Sequence, residues 1–211
     1  MSALQTEIKN AAVGVDIVDT SDGFTIIRKP ACAAAIWHRQ PMPGFQAWID
    51  ALDPAHLPSA RVVLRPDAVP EAVRHLCDIA GMAEGEERLW LEADIAGLAT
   101  RFATLMHAPY LRLRLDRVST NACSKFHIDA VMARLICTYR GAGTQYGTSI
   151  DGAPPKRVFR VATGAPMILR GTLWPEAPAA GLLHRSPPIA GTGETRLVLV
   201  LDPVFDAEDT A

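Results

Sequence analysis

The fold class is decided by the stretch YLRLRLD at residues 110–116. Apolar and polar side chains alternate strictly along it, so three leucines share one face while Arg112, Arg114 and Asp116 share the other. A repeat of two residues predicts a β-strand that buries one face and keeps the other polar. We interpret the polar face, and with it Arg112 and Arg114, as a solvated side of a sheet.

Further short strands follow this stretch toward the C-terminal end of the sequence. Glycine and proline separate the apolar runs, which is typical of antiparallel sandwiches and barrels. The sequence therefore predicts a mainly β fold with supporting helices (α+β), built as a double-stranded β-helix, also called a jelly roll or cupin-like barrel. The expected strands cover residues 134–139, 158–162, 166–169 and 196–201, with a turn at 141–144.

The first half of the chain has a mixed pattern, and we expect its helices to pack outside the barrel. In the last predicted helix, apolar residues recur every three or four positions and form one stripe for packing. Asp67 is the expected N-cap of the preceding helix. The predicted elements are strands at 24–28 and 34–38 and helices at 44–52, from Asp67 to Gly81, and at 86–107.

The 211 residues are expected to form a single domain, residues 1–211. Within it, 1–108 is the mixed support segment, 109–205 is the double-stranded β-helix core and 206–211 is a tail. The composition is that of a soluble globular protein, with 49% hydrophobic and 21% charged residues. The four cysteines form no C-x-x-C pair, so we expect free thiols.

Charge and hydropathy argue against two classes of partner. A net charge of −2 provides no general attraction to nucleic acid or to an anionic membrane surface. The sequence has no apolar run long enough to predict a transmembrane helix, and its first residues lack the apolar segment of a secretory signal. We therefore expect a cytoplasmic protein with no nucleic-acid partner and no membrane partner.

Two histidines and one aspartate form the candidate chemical centre. In His127-Ile128-Asp129 the outer residues share parity on an extended segment, so both side chains can face one metal ion. His184, expected on a neighbouring strand, completes a set of one carboxylate and two imidazoles. Such a set suits Fe(II) or Mn(II) better than Zn(II), which more often takes sulfur or a third histidine. We predict that His127, Asp129 and His184 are metal ligands and catalytic residues.

Arg196, at the start of the last strand, is the candidate anion-binding residue. A planar guanidinium matches a carboxylate with two parallel hydrogen bonds, and an arginine inside an apolar barrel needs such a partner. We predict that Arg196 binds the distal carboxylate of a 2-oxo acid that chelates the metal. Arg134, Arg140 and Arg185 are alternatives for this role.

The ordered motif H-x-D, H and R resembles the Fe(II)/2-oxoglutarate-dependent dioxygenase superfamily over about residues 110–202. The stretches 125–144 and 184–188 are also similar to an uncharacterised bacterial domain family of unknown function. Membership of that family would cover nearly the whole chain, but it implies no substrate.

The superfamily resemblance implies an oxygenase, of the hydroxylase type, with an Fe(II) cofactor and 2-oxoglutarate as co-substrate. The three predicted ligands would hold the iron, and Arg196 would anchor 2-oxoglutarate. Tyr139 shares the parity of Asp129, so we expect it to face the cavity and to contribute to 2-oxoglutarate binding; the alternative is an ordinary strand tyrosine. We expect a small-molecule or amino-acid-type primary substrate.

Two other functional classes stay open. A non-catalytic metal-binding jelly-roll protein, involved in metal sensing or handling, would keep the three ligands but not the role of Arg196. A cupin-type isomerase or epimerase is disfavoured, because the closely spaced H-x-H pair with a following glutamate is missing.

Two further positions are candidates for the surroundings of the centre. Cys123 lies four residues before His127 and is a candidate neighbour of the metal, although most free cysteines are core residues. The loop 171–181, which contains Trp174, is a candidate lid.

Overall fold

Ten strands and three α-helices make up the part of the chain that this computed structural model describes, residues 11–148 and 154–206. The α-helices are α1 (Phe45–Ala51), α2 (Val69–Ile79) and α3 (Glu86–Met106). The strands are β1 (Gly14–Val18), β2 (Cys32–Trp37), β3 (Ala60–Leu64), β4 (Tyr110–Val118), β5 (Ala133–Arg140), β6 (Gln145–Thr148), β7 (Phe159–Arg160), β8 (Pro166–Arg170), β9 (Leu182–Arg185) and β10 (Arg196–Val204). Short 3-10 helices cover Ser21–Arg28, Pro54–His56 and Pro66–Ala68.

The strands form two sheets. The larger has seven strands in the order β1-β2-β8-β5-β10-β4-β3, and the smaller has three in the order β7-β6-β9. Every neighbouring pair is antiparallel except the parallel pair of β1 and β2. The mainly β architecture with supporting helices is therefore as predicted. Three strands of the larger sheet precede residue 108, so the support segment contributes strands as well as helices.

One face of the larger sheet carries the main hydrophobic core, which α3 covers. The predicted apolar stripe of α3 is buried at Leu91, Ile95, Leu98 and Phe102, in one cluster with the three leucines of β4. Burying a side chain of this size contributes about 1.5–3 kcal/mol to the free energy of folding. The apolar side of α3 therefore packs against the sheet. The prediction of a helix over 86–107 is confirmed.

The other face of the larger sheet points toward the smaller sheet. A second apolar cluster lies there and joins Ile136, Val198 and Val200 of the larger sheet to Leu182 of β9. The polar residues of β4 lie on this side, and Arg114 and Asp116 line a cavity. The interpretation of Arg114 as part of a solvated face is therefore wrong, because the smaller sheet covers this end of β4.

Two local predictions in the first half are also wrong. Residues 24–28 belong to a 3-10 helix, since Phe24 and Ile27 are both buried three positions apart, which matches its three-residue turn. Asp67 is not the N-cap of α2. It lies in the preceding 3-10 turn and pairs with Arg65 at 3.1 Å, and the helix begins two residues later at Val69.

The remaining elements divide into confirmed and missed ones. The strand at 34–38 and the helix at 44–52 are confirmed as β2 and α1, and the four cysteines are free as predicted. Strands β1, β3 and β6 were not predicted, whereas β9 is the neighbouring strand that was expected to carry His184. Among the residues described, no helix has the length and apolar character that crossing a membrane requires.

Candidate metal centre

Backbone pairing brings the two predicted histidine ligands together. His184 lies in β9, and His127 lies in the loop between β4 and β5. Each residue donates its backbone N–H to the carbonyl oxygen of the other at 3.0 Å, which forms an isolated antiparallel bridge. The imidazole rings consequently lie side by side, with their centroids 4.6 Å apart.

The third predicted ligand is held in place by a backbone clamp. The carbonyl oxygen of Asp129 accepts a hydrogen bond from the Thr172 N–H at 2.9 Å, and Leu173 N–H bonds to the Val131 carbonyl at 3.1 Å. A Cβ at Gly171 would collide with the Val131 carbonyl, so this close approach of the two segments requires glycine. The start of the predicted lid loop is therefore tied to the Asp129 segment.

The three side chains present their donor atoms to one point. One ligand atom from each of His127, Asp129 and His184 can be chosen so that all lie within 4.8 Å of one another. His184 Nε2 is 3.0 Å from Asp129 Oδ2, and His127 Nε2 is 3.4 Å from Asp129 Oδ1. Asp129 Oδ2 is nevertheless buried without a hydrogen bond of acceptable geometry. A buried carboxylate whose two oxygens each lie near one imidazole nitrogen fits a bound cation.

The hydrogen bond of His127 selects the nitrogen that can bind a metal. His127 Nδ1 lies 2.8 Å from the carbonyl oxygen of Lys125, which can only accept. In the neutral ring the proton therefore lies on Nδ1, which leaves Nε2, the nitrogen directed toward Asp129, to bind a metal. A metal-binding histidine is commonly oriented in this way by a carbonyl acceptor on its other nitrogen.

The electrostatics of Asp129 and His184 favour the protonation states that a metal needs. Burial alone would raise the pKa of Asp129, but the two imidazoles and Arg134 hold that pKa well below its usual range. Burial lowers the pKa of His184, whereas the contact with Asp129 raises the pKa of His127. An ionised carboxylate beside a neutral, buried imidazole is the state in which both side chains can bind a divalent ion.

Arg134, considered from sequence only as an alternative anion clamp, contacts the carboxylate of Asp129 instead. Its Nη1 lies 2.5 Å from Asp129 Oδ1, while its Nε and Nη2 bond to Asp202 at 2.6 and 2.7 Å. Asp202 therefore orients Arg134, and Arg134 orients Asp129. Nothing in the sequence paired Arg134 with Asp202.

Arg196 is fully buried and its guanidinium contacts neutral oxygens. It donates to the Ala142 carbonyl at 2.6 Å, to Ser186 Oγ at 3.0 Å and to Thr138 Oγ1 at 3.2 Å. Burial lowers its pKa to about 10. Among the residues described, no carboxylate lies within 4.0 Å of it. Since Ser186 also lines the cavity beside His127 and His184, this cation lies next to the candidate centre.

The alternative arginines have other partners. Arg134 binds two carboxylates, and Arg140 donates to the Leu52 carbonyl at 2.8 Å. Arg185 donates to Gln145 at 2.8 Å and stacks on the ring of Phe126. Among the described residues, Arg140 and Arg196 pair with neither a carboxylate nor an aromatic face, and of these two only Arg196 is fully buried.

Tyr139 lies on the opposite side of the sheet from the centre, so the prediction that it faces the cavity is wrong. Its side chain is fully buried in the main core, and its hydroxyl donates to Asp94 Oδ2 at 2.6 Å. Parity cannot be counted from Asp129 to Tyr139, because Asp129 lies in a loop and β5 begins only at Ala133. Tyr139 is the ordinary strand tyrosine of the alternative interpretation.

The other two candidate positions differ in outcome. Cys123 lines the same cavity as His127, on its exposed side. Trp174 packs against the main core, and its ring lies 4.6 Å from the guanidinium of Arg170. Its indole is therefore a packing element of the sheet and does not line the cavity.

The overall fold is shared with plant dioxygenases. The rice dioxygenase for auxin oxidation superimposes with a TM-score of 0.51 at 15% sequence identity, over 93% of this chain and 84% of that one. The Arabidopsis thaliana dioxygenase for auxin oxidation 1, in a binary complex with 2-oxoglutarate, gives a TM-score of 0.52 at 11% identity, over 94% and 95% of the two chains. At these identities the likeness concerns the fold alone.

Sequence comparison assigns the chain to a family. Residues 19–202 match the family described as "Protein of unknown function (DUF1826)", and the chain belongs to that family. The comparison with curated proteins finds no match. Membership agrees with the resemblance to an uncharacterised domain family and adds no substrate.

Proposed function

We propose that this protein is an Fe(II)- and 2-oxoglutarate-dependent oxygenase that acts as a hydroxylase. The observation that carries the proposal is the convergence of His127, Asp129 and His184, with a buried carboxylate oxygen left without a hydrogen bond. Two imidazoles and one carboxylate form the facial ligand set of non-haem Fe(II) oxygenases. The two sheets would then be the two halves of a double-stranded β-helix, and the shared fold of the plant dioxygenases supports this assignment.

His127, Asp129 and His184 would hold the iron on one face. When bound, Fe(II) would supply the oxidation of a substrate by O₂, coupled to the conversion of 2-oxoglutarate to succinate and CO₂. The chain contributes the positions of the ligands. The His127–His184 bridge sets the two imidazoles, Arg134 orients the carboxylate, and Lys125 fixes the His127 tautomer.

Arg196 would bind the distal carboxylate of 2-oxoglutarate. Its guanidinium is buried, and Thr138 and Ser186 hold it through neutral oxygens, so its charge stays available for an anion. A carboxylate in that position would provide the partner that a buried cation requires. Val198, two residues further along β10 on the same face, adds apolar surface next to this position.

The test is an anaerobic titration of the protein with Fe(II) and then 2-oxoglutarate, followed by visible absorption. We expect a weak charge-transfer band for the native protein, and no band for the Arg196→Gln variant although it still binds iron. A native protein that binds metal tightly, but yields neither the band nor succinate in air, would instead be the non-catalytic metal-binding protein. The exposed His75→Ala variant is the matched control, because His75 lies on α2 away from the cavity.

A further inference from the structure

Arg114 carries an unpartnered donor into the cavity beside the candidate centre. Its side chain lines the cavity together with His127, Arg134 and His184. Its Nε is buried and has no hydrogen-bond partner, and no carboxylate within the described residues lies within 4.0 Å of the guanidinium. Leaving a buried donor of a charged group unsatisfied is energetically costly. A ligand that accepts from Arg114 would remove that cost.

A second guanidinium stands opposite Arg114 in the sheet. Arg61 of β3 is paired directly with Arg114 of β4, so both side chains lie on the same face. Arg61 is exposed and lies at the outer edge of the sheet, next to the cavity-lining residue. Like charges directly opposite each other destabilise a strand pair. An anion near the two cations would offset their repulsion.

A carboxylate follows Arg114 on the same face of β4. Asp116 also lines the cavity, and the two residues are separated along the strand by about 7 Å. No ion pair within 4.0 Å joins Asp116 to Arg114 or to any other cation in the described part of the chain. The cavity therefore presents one unpaired positive and one unpaired negative group, a few ångströms apart.

This charge pair is separate from the proposed co-substrate anchor. Arg114 is paired with Val200 of β10, four residues along that strand from Arg196. Four residues of a β-strand span about 13 Å, so Arg114 lies well away from Arg196 along the sheet. Between them, Ile136, Val198 and Val200 form an apolar wall.

We propose that the cavity binds the primary substrate by a zwitterionic head group, that of an α-amino acid. Arg114 would bind its carboxylate, with Arg61 adding positive charge at the edge, and Asp116 would bind its ammonium group. The side chain of the amino acid would contact the apolar wall. The assignment of this molecule as the substrate rests on the proposed oxygenase function, whereas the binding site itself does not.

The test measures binding by calorimetry to protein loaded with Mn(II), without O₂, both with and without 2-oxoglutarate. The probes are L-alanine, L-valine, L-leucine, L-phenylalanine, L-glutamate and L-lysine. The best binder is then compared with its deaminated carboxylic acid and its decarboxylated amine. We expect the amino acid to bind at least about tenfold more tightly than either analogue, because each analogue leaves one charge unpaired.

Two variants separate the roles of the charges. Arg114→Gln should weaken binding of the amino acid and of the carboxylic acid by about tenfold or more, and leave binding of the amine unchanged. Asp116→Asn should weaken binding of the amino acid and of the amine, and leave binding of the acid unchanged. Arg117→Gln is the control on the same strand, since its guanidinium binds the carbonyls of Pro54 and Ala55. Thermal unfolding of each variant checks that it is folded.

Three outcomes would overturn the proposal. The first is that no amino acid in the panel binds. The second is that the amino acid and its singly charged analogues bind with equal affinity. The third is that Arg114→Gln loses affinity for 2-oxoglutarate but keeps its affinity for the amino acid. Failure of the oxygenase proposal gives a different result. The amino acid would then bind with the same charge preference, but 2-oxoglutarate would neither bind nor be converted to succinate.

Discussion

The Arg134 guanidinium lies 2.5 Å from the carboxylate of Asp129, and the same guanidinium forms two hydrogen bonds to Asp202. Asp202 is on β10 and Asp129 is in the loop before β5, so this contact links the proposed metal ligand to the centre of the larger sheet. An arginine held on both sides can hold the carboxylate in one orientation. We therefore regard Arg134 as a positioning residue for Asp129.

Replacing Arg134 should weaken metal binding without removing a ligand. We expect Arg134→Gln to lower Mn(II) affinity by about 10- to 100-fold, the usual effect of losing a partner of a metal ligand. Titration of the metal by calorimetry or electron paramagnetic resonance measures the change. Asp202→Asn should produce a smaller loss in the same direction, because Arg134 remains but is less firmly oriented. Unchanged affinity in both variants would contradict the positioning role.

Replacing a proposed ligand should remove metal binding almost entirely. His184→Ala removes one of the three proposed metal ligands. We therefore expect a loss of metal affinity well beyond that of the Arg134 variant. Metal content after dialysis against Fe(II) or Mn(II) measures this. The exposed His75→Ala protein should retain the native content, and equal retention by both variants would exclude the centre.

Tyr139→Phe should reduce stability and leave the co-substrate unaffected. The Tyr139 hydroxyl donates to Asp94, which also pairs with Arg39 in the core. Removing a buried hydrogen-bond donor to a charged acceptor costs about 1–3 kcal/mol. Denaturant unfolding checks the loss, and 2-oxoglutarate titration checks that affinity is unchanged. Weaker 2-oxoglutarate binding in a stably folded variant would indicate that Tyr139 contributes to co-substrate binding after all.

Gly171→Ala should disturb the metal centre from a distance. The added Cβ would collide with the Val131 carbonyl and push the Asp129 segment away from its backbone clamp. We expect lower stability together with weaker Mn(II) binding. Gly97→Ala, within α3, is the matched control and should stabilise the protein by about 0.5–1 kcal/mol, because alanine favours the helix. Native metal affinity in a destabilised Gly171→Ala protein would count against the clamp.

Regular repeats in the sequence predicted the larger elements correctly. The alternation in YLRLRLD and the apolar stripe of 86–107 each depend on one buried face, and that face exists in the fold as β4 against α3. The short strands β6 and β9 have no such repeat. They are held by pairing with each other, which depends on residues nearly forty positions apart.

The sequence by itself determined the chemical groups: two histidines and an aspartate able to bind a metal, an arginine in an apolar strand, and the period of the strand that follows residue 109. Only the tertiary structure decided which groups meet. The side of the sheet that each strand residue faces depends on where the strand begins, and for this reason Tyr139 joined the core. The contacts of Arg134 with Asp129 and Asp202, and the lack of ion pairs for Arg114 and Asp116 among the described residues, depend on strand register between segments that are distant in sequence. Local sequence patterns do not encode this register.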